Sequence, residues 1–288
     1  MGKKPPKPPI PTINVLHKSR FLAVVNKPPF MHSEMGAKAK SSLTLREAMI
    51  KQQPDFLVQK RTPIKVPNFR GRRPSKPFNR EILLHPYYLP YEATGAFVLC
   101  MSRYYLDQFR NEPPIEQQDP LNPPPYSFHM TAAAILCGSI VDIRQKHNPN
   151  FVTWFSRVSG IIRTDIDDDE ATIFHLYPLE GERTLAILES TVPKRYQFSR
   201  HMAQVFRTPI LGDPRFLPPR TPDNRYALQK FMALHVLRVS MRTGSFNDPI
   251  VVDAPFQWGV NGTWGGLVDP RTHALSLGNS FRLPQSLS

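Results

Sequence analysis

Between positions 60 and 80 the chain carries Lys60, Arg61, Lys65, Arg70, Arg72, Arg73, Lys76 and Arg80, and no carboxylate. Pro63, Pro67, Pro74 and Pro77 deny this stretch a helix, and Phe69 and Phe78 are interleaved. Positive charge along an extended chain, with rings at intervals, suits tracking a phosphate backbone and stacking on bases. The alternative is a solvated linker, which has no need for so one-sided a charge. A second cationic group, Lys194, Arg195 and Arg200, lies later in the chain. The acidic run Asp165-Ile-Asp-Asp-Asp-Glu170 reads as a hairpin tip rather than a divalent-cation site. Cys100 and Cys137 sit in apolar surroundings and read as reduced core residues of a reducing compartment. Their spacing makes no metal site, so neither a metal nor another cofactor is expected.

The charge balance of the whole chain points the same way. Lys and Arg number 37 against 23 Asp and Glu, a net +14. A fold with this excess attracts a polyanion, and RNA or DNA suits it better than a membrane. No stretch approaches the ~20 apolar residues of a spanning helix. The opening Met-Gly-Lys-Lys-Pro-Pro has no apolar core, so no secretory signal is expected there. Hydrophobic residues make up 40% of 288, enough to bury a core. The 32 prolines against 14 glycines cluster into extended arms over a globular body.

The elements that must position these side chains are mostly short strands. Residues 13–16 and 21–26 read as two strands around a basic turn, with Lys27-Pro-Pro29 ending the second. A helix is expected over 42–51, capped by Ser42 or Thr44. Ala96–Met101 reads as a buried strand after a Thr94-Gly95 turn, and Arg103–Arg110 as a helix. Strands follow at 151–162, 172–177 and 185–190, a helix at 198–206, and a strand pair at 234–241 and 249–254. This pattern predicts a mixed α+β domain on an antiparallel sheet. A Pro/Lys-rich arm covers 1–12, the domain 13–256, and an extension 257–288. The basic insertion (57–80) and a Pro-rich loop (111–125) interrupt the domain.

Four segments, in order, resemble landmarks of the RluA-type pseudouridine synthases. Phe21-Leu-Ala-Val-Val-Asn-Lys-Pro-Pro-Phe-Met-His32 resembles the family's L-L-V-V-N-K-P-A-G followed by a His. Leu89-Pro-Tyr-Glu-Ala-Thr-Gly-Ala-Phe-Val-Leu99 resembles H-R-L-D-x-x-T-S-G-L-L-L. Arg195-Tyr-Gln-Phe-Ser-Arg-His-Met-Ala203, leading to Pro209-Ile-Leu-Gly-Asp213, resembles R-T-H-Q-I-R-V-H and P-I-x-G-D. Leu234-His-Val-Leu-Arg-Val-Ser-Met241 with Ala254-Pro255 resembles L-H-A-x-x-L-x-F and A-P. The resemblance implies the pseudouridine synthase fold, a mixed, mostly antiparallel sheet with flanking helices.

The departures bear on function. The family's catalytic aspartate lies five residues before the motif's glycine, and counting back from Gly95 gives Pro90. Tyr87 and Tyr88 stand where the motif has His and Arg. Proline has no ionisable group with which to begin cleavage of a glycosidic bond, and the nearest carboxylate is Glu92. Trp154 takes the place of the family's base-packing tyrosine, as a stacking surface or as a core residue. Arg200 matches the arginine that pairs with the missing aspartate. Lys27, Lys194 and Arg195 add positive charge, although Lys27 also suits a plain turn.

The resemblance therefore implies a pseudoenzyme that binds RNA, ribosomal RNA first, as an assembly factor or ribosomal component among neighbouring proteins of a ribonucleoprotein particle. Degenerate copies of RNA-modifying enzymes resemble factors recruited to divergent mitochondrial ribosomes, which makes the mitochondrion the expected compartment. An active synthase with a relocated carboxylate, and a protein-interaction scaffold, are the alternatives.

Overall fold

The computed structural model describes residues 11–19, 22–33, 44–52, 85–100, 103–110, 124–164, 170–191, 194–216, 231–244, 248–259 and 262–276. The basic segment 60–80, the acidic tip 165–169 and most of the Pro-rich loop lie outside them, as does most of the N-terminal arm.

Among the described residues one sheet organises the chain. Its strands are β1 (Asn14–Lys18), β2 (Leu22–Lys27), β3 (Thr94–Cys100), β4 (Tyr126–Leu136) and β5 (Val152–Trp154), then β6 (Ser159–Thr164), β7 (Glu170–Leu179), β8 (Arg183–Ser190), β9 (Leu234–Thr243) and β10 (Ile250–Asp253). Their order is β1-β2-β3-β9-β4-β8-β7-β6-β5, with β10 beside β9. β3 and β9 run parallel, and the other pairs are antiparallel. Four short helices flank the sheet: α1 (Leu45–Gln52), α2 (Arg103–Arg110), α3 (Ile140–Lys146) and α4 (Gln197–Arg200), the last running into a wider turn over His201–Val205. The architecture is α+β with a mixed, mostly antiparallel sheet.

Local chemistry explains the helix starts. The Thr44 hydroxyl accepts the Glu47 N–H at 3.2 Å, and the Glu47 carboxylate accepts the Thr44 N–H at 2.9 Å. This reciprocal cap makes Thr44, not Ser42, the start of α1. Ser139 and Asp142 make the same pattern at α3. Strand β4 is the centre of the sheet, paired to β8 on one side and β9 on the other. Its Ala132-Ala133-Ala134 run is fully buried, because small side chains let elements pack closely over the middle of the sheet. Phe97, Phe128 and Phe174 fill the space around it, each contributing roughly 2–3 kcal/mol by burial.

Three expectations need adjustment. Residues 151–162 are not one strand: β5 and β6 form a hairpin through Phe155–Val158. Thr94 and Gly95 lie inside β3 rather than in a turn before it. The core also continues past residue 256, because Trp264 is buried against Phe256 at 4.9 Å and Val268 joins the same cluster. Cys100 and Cys137 are free, and burial pushes both thiols up to about 12.

A candidate nucleic-acid interface around the 88–95 turn

The segment Tyr88–Gly95 is where the resembling segments meet. Ala93 donates its N–H to the Pro90 carbonyl at 3.2 Å, closing a turn over Pro90-Tyr91-Glu92-Ala93. Lys27, at the end of β2, lies beneath it with 0% exposure. Its ammonium reaches the carbonyls of Pro28, Pro90, Tyr91 and Ala93 at 3.1, 3.0, 3.2 and 2.8 Å. Burial lowers the Lys27 pKa to about 7, and the negative charge of Glu92 pulls the other way. Lys27 is therefore the pin that fixes the turn to the sheet.

The neighbouring contacts follow the same logic. The Asn26 amide donates to the Pro255 carbonyl at 2.8 Å, joining the first segment to the last. His235 on β9 donates from Nε2 to the Ala254 carbonyl at 3.1 Å, which leaves Nδ1 to accept the Thr94 hydroxyl at 2.7 Å. Burial holds His235 down at about 4, so it is neutral. Gly95 has φ +110, and a Cβ there would run into the backbone of Val236. Only glycine allows β3 and β9 to approach in parallel at this point.

The outer face of the turn has other chemistry. Pro90 is buried, and its ring offers no proton to give or take. The Tyr88 ring meets Tyr196 edge-on at 4.7 Å, their hydroxyls hydrogen-bonded at 3.1 Å. Tyr196 has left-handed backbone, φ 60, at the start of α4. Arg195 lies 4.6 Å over the Tyr88 ring, and Arg215 lies 4.0 Å over Tyr196. Arg215 is itself held by two bonds to the buried Asp213 carboxylate, at 2.8 and 3.0 Å. Burial raises the Tyr88 hydroxyl, and Tyr196 beside it adds to the shift. Burial also works to raise Tyr196, but its bond to Tyr88 and the two guanidinium groups outweigh that and lower it.

The chain is similar in outline to two human pseudouridylate synthase domain proteins. One structure is Human RNA Pseudouridylate Synthase Domain Containing 1, at 13% identity over 87% of this chain and 86% of that one, with a TM-score of 0.48. The other is Human RNA Pseudouridylate Synthase Domain Containing 4, at 15% identity over 83% of this chain and 87% of that one, with a TM-score of 0.45. No protein-family model matches the chain, and no curated protein does.

The residues expected to meet RNA fall into distinct places. Lys194 and Arg195 are exposed beside the turn, and Arg200 is half-buried at the end of α4. Lys27 does not join them: its ammonium is enclosed by carbonyls, so no phosphate reaches it. Trp154 is a packed residue rather than an open stacking surface. It lies parallel to Phe206 at 6.2 Å, meets Phe174 edge-on, carries Arg144 4.1 Å over its ring and donates its N–H to His147. Lys60, Arg61, Lys65, Arg70, Arg72, Arg73, Lys76 and Arg80 lie outside the described residues. Tyr196, Arg215 and Phe30 are the outer-face residues that the sequence reading passed over. The Asp213-x-Arg215 spacing was a signal for a local ion pair, and Phe30 occupies a position where the resembling motif has glycine.

Among the described residues, no group of three or more His, Cys, Asp or Glu is placed to hold a metal ion. Nor is any helix among them long and apolar enough to cross a membrane.

Proposed function

We propose that this chain is a non-catalytic, pseudouridine-synthase-like RNA-binding protein. It binds ribosomal RNA as an assembly factor or component of a mitochondrial ribosome. The observation that carries this reading is Pro90. It stands where the resembling motif has its carboxylate, in a turn pinned from below by Lys27. Glu92 is half-buried and its charge acts on the Lys27 ammonium beneath the turn. Polyanion binding is supported by the net +14 and by the basic segment 60–80. That segment enters the described body at His85, three residues before Tyr88.

The test has two arms. The native protein is followed through a sucrose gradient of a mitochondrial lysate, and co-sedimentation with ribosomal precursors or subunits is expected. Migration at the top of the gradient, with no RNA, counts against the reading. In vitro, neutralising Arg70, Arg72, Arg73 and Lys76 weakens RNA binding. It also lowers the slope of log K against log salt by roughly 0.7–0.9 for each lost phosphate contact. Unchanged affinity and slope would make 60–80 a linker.

A further inference from the structure

Phe30 is 40% exposed and sits in left-handed backbone, φ 59. A non-glycine residue is rarely held there, because its Cβ crowds the following carbonyl. Burial of the ring does not account for it, since two-fifths of the residue stays in water. Such a strained aromatic at a surface is more informative than an exposed aromatic in ordinary backbone.

Its neighbours are rings as well. The Phe30 ring lies 5.7 Å from Tyr91 and 5.1 Å from Phe231, and the His32 ring lies 4.4 Å from Tyr91. The backbone beneath them is fixed. Phe30 donates its N–H to the Tyr91 carbonyl at 2.7 Å, and the Lys27 ammonium reaches that same carbonyl at 3.2 Å. Across Pro90, Tyr88 carries the Arg195 guanidinium 4.6 Å over its ring. Tyr91, in the ring cluster, and Tyr88, which carries the cation, are three residues apart on the same turn.

We propose that Phe30, Tyr91 and Phe231 form a stacking platform for unpaired bases of an RNA single strand, with Arg195 meeting the adjoining phosphate. This rests on the RNA-binding reading above and adds where, and by which chemistry, a single strand is held. The rings are aromatic rather than aliphatic, and Tyr91 is three residues from Tyr88, which carries a guanidinium, in a chain of net +14; this favours a nucleotide over an apolar peptide. A platform fixed before binding loses little freedom when a base settles on it.

Phe30→Gly tests the proposal without endangering the fold, because glycine suits φ 59. The full chain is titrated with a short fluorescent oligouridylate and with an RNA duplex of the same length, across a salt series. Loss of one stacked base predicts roughly ten-fold weaker binding of the single strand. The salt slope and the duplex affinity stay as in the wild type, since no charge is removed, and Phe30→Trp restores single-strand binding. The urea midpoint of Phe30→Gly stays close to that of the wild type. If Phe30→Gly binds the single strand like the wild type while the four-residue basic variant loses affinity, RNA binding stands and the platform is wrong. If the wild type binds neither probe, and a photocrosslinker at position 30 captures a protein instead, the rings serve a protein partner and both readings fail.

Discussion

The turn over residues 88–95 has an underside and an outer face, and the two are made of different chemistry. Beneath it, buried polar groups are matched one to another: Lys27 to four carbonyls, Asn26 to Pro255, Thr94 to His235, His235 to Ala254. Above it stand tyrosines, Phe30 and guanidinium groups stacked on rings. The underside keeps the residue types of the resembling motifs, because each fixes the shape of the sheet. The outer face departs from them at Tyr88 and Phe30, which stand where the resembling motifs have Arg and Gly. Packing and hydrogen bonding constrain a scaffold more tightly than the residues it presents.

That contrast predicts a difference in stability. Gly95→Ala places a Cβ against the Val236 backbone at a positive φ and should cost about 3 kcal/mol or more, read from the urea midpoint. Lys27→Met removes a charged donor from buried carbonyls and should cost roughly 2–3 kcal/mol. On the outer face, Tyr196→Gly and Phe30→Gly should each lie within about 1 kcal/mol of the wild type, since relief of left-handed backbone offsets most of the lost packing. Equal losses on both faces would erase the distinction.

The buried basic groups make the difference pH-dependent. Burial holds His235 at about 4 and His201 at about 3, His201 being enclosed by the Thr164 and Thr172 hydroxyls and beside Arg200. As pH falls below about 6.5 the unfolded chain takes up protons that the folded one refuses, so stability drops by a few kcal/mol between about pH 6.5 and 4. Lys27, lowered to about 7 by burial, works in a higher window. Between about 7 and 10.5 the unfolded chain again holds the extra proton, so its contribution rises with pH. Lys27→Met should lose that rise and keep the acid-side loss. A variant whose stability still climbs like the wild type above pH 7 would show that Lys27 is not buried as a base.

The smallest expected effect is on the outer face itself. Pro90→Asp returns a carboxylate to the motif position, but Tyr87 and Tyr88 still replace the motif's His and Arg, and Trp154 is already engaged by Phe206 and Arg144. A target base must be extruded into a fitted pocket before any bond breaks, and a misplacement of about 1 Å costs ~10²-fold. The variant should bind RNA as the wild type does and form no pseudouridine. Robust product from it would mean that the pocket is intact.

The strand-rich α+β class, the strand pairs β1–β2 and β9–β10, and the cap of α1 were legible in the sequence, because turn residues, alternation and Thr44-x-x-Glu47 act locally. Strand β4 was not. Its alanine run has weak β-propensity, and only pairing to β8 and β9 makes it a strand. The helix α3 was missed although Ser139-x-x-Asp142 announces its start. The sequence leaves Lys27 open between a phosphate contact and a turn residue, because a lysine that pins carbonyls from below has the same sequence signature as one that meets phosphate from above. Trp154 posed the same ambiguity, and its packing partners Phe174 and Phe206 lie far along the chain.

As proposed, the outer face binds RNA without modifying it. The direct measurement is pseudouridine content, by mass spectrometry, of ribosomal RNA fragments incubated with the purified full chain. RNA binding with no pseudouridine above the no-protein control is expected. Pseudouridine that accumulates with the wild type and disappears with Glu92→Ala would contradict it and assign the chemistry to a carboxylate two residues beyond Pro90.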